Sequence, residues 1–472
     1  MSSTLSRAET WSLLALSAAC VGVLVKTYQD DGEPLFASLA LGLAAFAASY
    51  AMIVWLGDAF IAVGRKGTDM SKKHKVEIPE TMGAVCGVVY IFAIILFIPF
   101  AFRRDIVAAT SGGGSKDAVL NVEHVETGRI LHRFPLSKLS SYAYALISVA
   151  LIYILGIADD IFDMRWRHKV LIPAFASIPM LLFYYVDFGV TQVVVPILLR
   201  PYFGELLNLG SLYYAYMAAV TIFAPNSINI LAGINGIEVG QSIVIGILIL
   251  LNSSLYILPL SSTTTSPPNQ ATMDVHLFTI YLLLPFLGVS LALLKHNWYP
   301  ARVFVGDTYC YFAGMVFAVV GILGHFSKTL LLLFLPQIAN FIYSAPQLFH
   351  IIPCPRHRLP RFNARTGLLE PSVTTYPPEK PLRKPLVPVL ELLHTLHLLE
   401  VKKDESGRII SSTNLTLLNL WLVWRGPRRE DRLAIEILGM QMCVGLLGLW
   451  VRHRLALLVF TQDNRAVGAN HV

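Results

Sequence analysis

Charge is scarce in this chain. Only 14% of its 472 residues are Asp, Glu, Lys or Arg, 55% are apolar, and the mean hydropathy is +0.60. A soluble protein of this length would need charged surface over about three domains, so the composition points to a multi-pass membrane protein. Cysteine is scarce too. Cys20, Cys86, Cys310, Cys354 and Cys443 stand singly, without CxxC or metal-ligand spacing, so no disulfide framework or zinc site is predicted. No internal repeat of fixed period is visible. The formal charge of +7 does not imply nucleic acid as a partner, because Lys and Arg sit in loops between apolar runs, where membrane orientation puts them.

What the chain does have is long apolar runs. Trp11–Val25 can be read as a signal peptide, a signal anchor or a first span, and an uncleaved anchor is the favoured reading. Ten further runs, near 35–57, 81–102, 141–158, 170–186, 211–230, 239–260, 277–294, 308–324, 329–352 and 433–451, approach the length that crosses the hydrocarbon. The fold class expected is therefore an all-α polytopic membrane protein. It has about ten core transmembrane helices plus an N-terminal anchor, and a small mixed α/β cytosolic insertion before the last helix. The expected division is 1–34 anchor and linker, 35–352 membrane catalytic core, 353–432 insertion, and 433–472 last helix and tail.

Each span reverses the chain, so parity sorts the connections into two sides. One side receives Asp58–Glu80, Asp159–Lys169, Asn226–Glu238, Lys295–Asp307 and Ile351–Arg432, with most of the polar clusters and basic residues. The positive-inside rule makes that side cytosolic, although Arg103, Arg104, Arg452 and Arg454 run against it. On the other side, Ser111–Ser115 reads as part of a flexible lumenal loop. In 353–432, the stretches around Gly367 and Gly407 read as hairpin turns, and Pro371–Pro388 as an extended connector. Leu415–Trp424 is apolar but too short to span, so it lies in the interface or packs on the insertion.

Four motifs carry chemistry. In Gly156-Ile-Ala-Asp-Asp-Ile-Phe-Asp-Met-Arg-Trp-Arg-His-Lys169, Asp159, Asp160 and Asp163 share a helical face if the helix runs on, and basic residues follow within about two turns. Such a stretch can handle a metal-bound phosphate; the plainer alternative is a basic flank with helix-capping acids. In Pro225-Asn-Ser-Ile-Asn229-Ile-Leu-Ala-Gly-Ile-Asn235-Gly236, proline interrupts a helix where two amides three apart face one way, lining either a helix interface or a polar site. Asp307, in Asn297-Trp-Tyr-Pro-Ala-Arg-Val-Phe304-Val-Gly-Asp-Thr308, is either an N-cap or an oxygen ligand for a hard cation such as Mg²⁺. In Pro353-Cys-Pro-Arg356-His357-Arg358-Leu-Pro360, three basic side chains pinned between prolines look like a phosphate clamp.

In this order, from about Asp58 to the C-terminus, these motifs closely resemble the polyprenyl-phosphate N-acetylhexosamine-1-phosphate transferases, and within them the eukaryotic branch that uses dolichyl phosphate; the anchor resembles fungal members. The resemblance implies ten membrane helices, a cytosolic active site in the endoplasmic reticulum membrane, Mg²⁺, a homodimer and inhibition by tunicamycin. It also implies Asn229 and Asp307 as metal ligands, Asp159 and Asp160 as a catalytic acid pair, and Lys169 beside the pyrophosphate. Arg356, His357 and Arg358 would engage phosphates and sugar, Asn235 and Phe304 the uracil, and Glu80 the nucleotide side. Two positions depart from the animal enzyme: Asp163 stands in place of Asn and Thr68 in place of Gln. The reaction implied is attack by dolichyl phosphate on the β-phosphorus of UDP-N-acetylglucosamine, releasing UMP. The rivals are a nucleotide-sugar transporter of the same bilayer and a noncatalytic membrane scaffold.

Overall fold

The computed structural model describes residues 4–30, 32–72, 75–110, 135–162, 164, 169–258, 270–355, 357–377 and 382–460. Every apolar run has become helix, because a backbone in lipid must bond within its own segment. In chain order these are α1 (Arg7–Gln29), α2 (Pro34–Ala62), α3 (Gly83–Ala101), α4 (Leu136–Phe162), α5 (Ile172–Phe183), α6 (Ser211–Ile230), α7 (Ile237–Ile257), α8 (Gln270–Asn297) and α9 (Asp307–Leu323). There follow α10 (Ser327–Leu333), α11 (Leu335–Leu348), α12 (Val387–Thr395), α13 (Leu417–Arg425) and α14 (Glu430–Trp450). Among the described residues, seven helices are long and apolar enough to cross a membrane, and eight if α10 and α11, bent by 68° at their junction, form one span. Helices α5 and α9 are apolar but shorter.

The core is built around α9, in which every residue from Thr308 to Leu323 is buried. Lipid is as apolar as the helix, so close packing rather than escape from water must hold such a helix in place. Gly314 shows how: an added Cβ would lie 2.3 Å from the Pro225 backbone, so α9 and α6 touch main chain to main chain. Pro225 does not break α6, which continues to Ile230. The expected interruption is therefore absent, and Asn226 and Asn229 share a helical face.

The parity sorting corresponds to two ends of the bundle. Lys138 pairs with Asp274, and Ser137 bonds to Asp187, at one end; the bonds among Lys72, Asn235, Asp160, Asp307 and Glu430 lie at the other. The first end carries a hairpin of Gln192–Val194 with Leu206–Asn208. The second carries the hairpin β1 (Lys66–Thr68) and β2 (Glu77–Pro79).

The segment before α14 is mixed α/β. A hairpin pairs Arg361–Asn363 with Leu368–Glu370, and a three-stranded sheet places Ile409–Thr413 between Val373–Thr375 and Val401–Lys403. Gly367 and Gly407 occupy the two expected turns. The proline-rich stretch is more than a connector, since Val373–Thr375 is one of the sheet's strands; residues 378–381 lie outside the described ones. Helix α13 packs Leu418, Leu420 and Leu422 with Leu231 and Ile237 of the core and Leu433 and Ile437 of α14. Asp163, Arg165–His168, Ser111–Ser115 and Arg356 also fall outside the described residues.

Candidate active site

One cavity of about 690 Å³ opens at the β1–β2 end, lined by groups that all four motifs deliver. Glu80, Lys169, Asn229, Asn235, Phe304, Asp307, His357 and Arg358 all contribute to its wall. Asp159 and Asp160 do not; they lie behind it.

Asp307 and Lys169 form its charged floor, with Asp159 beneath them. Lys169 Nζ is 2.5 Å from Asp307 Oδ2 and 3.1 Å from Asp159 Oδ2. Burial disfavours this ammonium, but Asp307 and then Asp159 outweigh it and hold Lys169 above the usual lysine value. Asp159 is 2% exposed, and its Oδ1 accepts the Met164 N–H at 3.1 Å. Its Oδ2 meets Lys169 at an ion-pair distance without an aligned hydrogen bond.

Asp160 has a different environment. Its Oδ1 accepts the Asp307 N–H at 2.8 Å, while Oδ2 accepts the Thr308 N–H at 3.1 Å and the Thr308 hydroxyl at 2.5 Å. This acid caps α9 from a neighbouring helix, satisfying donors that a helix start leaves unpaired. Gly306 stands at the N-cap position with φ 79°, and a Cβ there would collide with Thr81 and Asp160. Asp307 is thus not the N-cap, and its carboxylate is turned to Lys169 and the cavity. Arg65 in turn donates to the Asp160 and Ile161 carbonyls at the end of α4.

Asn229 and Asp307 offer oxygen donors to the same space. Among the described residues no three His, Cys, Asp or Glu side chains converge as a metal cage. A hard cation held by one carboxylate, one amide oxygen and the substrate's own phosphates fits this donor set. Asn226 is otherwise engaged, donating to the Ile222 carbonyl at 2.7 Å.

Phe304 lies against β1, where an added Cβ on Gly67 would meet its ring at 2.8 Å. Its backbone is fixed on both sides, to the Pro79 carbonyl and the Met82 N–H. Glu80 sits next to this ring; burial and then the Asp307 charge push its carboxyl up, with Arg65 opposing. Asn235 is the centre of a network. Its Oδ1 accepts from Lys72 Nζ at 2.9 Å and the Ala301 N–H at 3.1 Å, its Nδ2 donates to Asp69 at 3.2 Å, and its N–H donates to Glu430 at 2.7 Å. Lys72 also reaches Glu430 at 2.6 Å. Sequence reasoning missed Asp69, Glu430 and Glu238, all of which line the cavity, and counted Lys72 only as a basic flank. Glu238, whose Oε1 accepts the Gly233 N–H, lies two residues past the Pro225–Gly236 motif, close enough for that motif to have pointed to it. Asp69 and Glu430 carried no local signal.

The basic segment covers the cavity from the insertion side. Leu359 presses onto the Gly233 turn, at 1.9 Å from where a Cβ would be. The Arg358 carbonyl is anchored by Asn419 Nδ2 at 2.8 Å and the Ser372 hydroxyl at 3.1 Å. Its guanidinium is lowered in pKa by burial, and Nη1 is buried with no hydrogen-bond partner among the described residues. A buried forked donor left incomplete in a cavity wall calls for an anion.

The sequence matches Glycosyl transferase family 4 over residues 142–325. A UDP-N-acetylglucosamine–dolichyl-phosphate N-acetylglucosaminephosphotransferase of Saccharomyces cerevisiae is 50% identical, over 96% of this chain and 99% of its own. The enzyme of that name from Schizosaccharomyces pombe is 49% identical over 92% and 95%, and that of Dictyostelium discoideum 39% over 84% and 84%.

Proposed function

This chain belongs to the UDP-N-acetylglucosamine–dolichyl-phosphate N-acetylglucosaminephosphotransferase family, and from that premise we propose how its cavity works. The protein transfers N-acetylglucosamine-1-phosphate from UDP-N-acetylglucosamine to dolichyl phosphate, giving dolichyl-diphosphate-N-acetylglucosamine and UMP. A lipid phosphate oxygen forms a bond to the β-phosphorus as the bond from that phosphorus to the oxygen bridging it to the α-phosphorus breaks; UMP leaves with that oxygen.

Two anions must approach one another, so charge has to be neutralised before they can meet. Lys169 and Arg358 do this from two walls, and the orphaned Arg358 Nη1 is the observation that carries the reading. Mg²⁺ on Asn229 and Asp307 would supply further neutralisation of the pyrophosphate. Asp159 acts through Lys169, holding the ammonium where it meets the phosphates, rather than by touching substrate. Asp160 sets the start of α9 and hence the position of Asp307. Phe304 and the Asn235 turn take the uracil, with Glu80 on the same side, while His357 and Arg356 accompany Arg358.

The same reading has the protein in the endoplasmic reticulum membrane with its site facing the cytosol, a homodimer, inhibition by tunicamycin, and the four segments 1–34, 35–352, 353–432 and 433–472 as functional units. Polar groups gathered at one end of the bundle argue against the transporter, whose site would lie near mid-membrane. The test follows the phosphorus. With UDP-N-acetylglucosamine labelled in the β-phosphate, dolichyl phosphate and Mg²⁺, label should enter the lipid, UMP should appear in equal amount, and EDTA should stop both. Asp307→Ala should abolish turnover with the protein folded. Label remaining as UDP beside a sugar-bearing lipid would refute the phosphotransfer.

A further inference from the structure

A second orphaned donor lines the same cavity, on a helix that no motif pointed to. Asn340 of α11 is 1% exposed, and its Nδ2 has no hydrogen-bond partner among the described residues. The orientation of this amide is not arbitrary. Oδ1 accepts the Leu417 N–H at 2.8 Å, and an N–H can be met only by the oxygen, so the amino group must face the other way.

The surroundings say what kind of acceptor it would meet. One face of α11 is zipped to the segment before α13: Ser344 bonds to the Leu415 carbonyl at 2.7 Å, and Gln347 accepts the Leu415 N–H at 2.8 Å. Leu348 lies eight residues from Asn340, on the same helical face, and lines the cavity with Leu418 and Thr416. His357 and Arg358 line it too. A neutral donor beside two leucines is a poor place for another phosphate, which would ask for charge. It suits a group with a carbonyl oxygen and a methyl: an acetamide. Leaving this donor buried and unmet is costly, so a ligand that meets it gains discrimination over one that cannot.

We propose that Asn340 is a specificity-determining residue of the transfer reaction, its Nδ2 donating to the acetamido oxygen of the donor sugar while Leu348 and Leu418 receive the methyl. The assignment rests on the transferase reading above and adds the feature that selects an N-acetylated sugar.

Asn340→Asp keeps the oxygen that accepts the Leu417 N–H and removes the donor. Any effect of its new charge on the pyrophosphate falls equally on UDP-glucose and on UDP-N-acetylglucosamine, which carry the same diphosphate diester, so the ratio between the two isolates the lost bond. With the full-length protein in detergent, the measurements are kcat/KM for UDP-N-acetylglucosamine and for UDP-glucose, and the inhibition constant of UDP. The variant should lose at least tenfold in preference for UDP-N-acetylglucosamine over UDP-glucose, while the inhibition constant of UDP reports the effect of the charge alone. An unchanged ratio overturns the proposal, as does a loss shared equally by all three ligands. Leu348→Ala supplies an independent arm should Asn340→Asp fail to fold. It should shift acyl preference toward UDP-N-propanoylglucosamine, and an unaltered acyl preference counts against the subsite. If the wild-type protein moves no sugar phosphate at all, the transferase reading fails; if it does and both variants behave like wild type, only the subsite fails.

Discussion

Asp160 Oδ1 accepts the backbone N–H of Asp307 across 147 residues of sequence, so one acid of an adjacent pair closes the helix on which a candidate ligand stands. Asp159, its neighbour, faces Lys169 instead. The two should therefore fail differently. Asp160→Ala strands the N–H groups of Asp307 and Thr308 and should cost about 1–3 kcal/mol of stability. Asp159→Ala strands only the Met164 N–H and leaves Lys169 its Asp307 partner, so it should cost less stability than Asp160→Ala, while turnover per folded molecule falls at least about tenfold, or about 1.4 kcal/mol. Thermal unfolding alongside activity measures both, and identical behaviour would return them to a single functional pair.

Arg358→Lys should be far from silent. A single ammonium cannot reproduce a planar fork with a buried, unmatched N–H. Turnover should drop at least about tenfold, with the fold retained because the backbone anchors to Asn419 and Ser372 do not involve the side chain. Wild-type kinetics in this variant would reduce the segment to a membrane-orienting flank.

Glu80 gives a pH signature. Its folded carboxyl is raised above the unfolded value by burial and by Asp307, so the folded state holds this proton more tightly than the unfolded chain does. Its effect on stability is thus unfavourable at neutral pH and disappears below the unfolded value of about 4.3. Without divalent cation, Glu80→Gln should melt higher than wild type at pH 7 and together with it near pH 4. A gap that persists in acid would mean the carboxylate is not the cause.

Asn414-Leu-Thr416 fits the glycosylation pattern yet should carry no glycan. Asn414 is 1% exposed, its Oδ1 accepting from Gln347 and Thr374 and its Nδ2 donating to the Ser372 hydroxyl. The proposed cytosolic orientation and the burial both forbid access. An endoglycosidase-sensitive mass on the peptide containing Asn414 would invert the proposed orientation.

Hydropathy alone placed the helices, because in lipid the span length is set by the hydrocarbon and the backbone has no alternative to internal bonds. It could not find the 68° bend between α10 and α11, or tell that Pro225 would pack rather than break α6. Turn chemistry at Gly367 and Gly407 was equally local and equally readable. The strand at Val373–Thr375 was not, since its partner Ile409–Thr413 lies beyond a helix, another strand and a turn.

The site divides along the same line. Residue types and spacing made Lys169 and Arg358 candidates for phosphate and left Asp307 open between an N-cap and a cation ligand and Asn229 between a helix interface and a polar site; the ligand roles came from the family resemblance. Only the tertiary structure could give adjacent acids separate environments, draw Lys72 and Glu430 together from 358 residues apart, and orient the Asn340 amide by a bond to Leu417. A hydrogen bond is short and directional, and its partner is chosen by which elements pack together, information that no single stretch of chain contains.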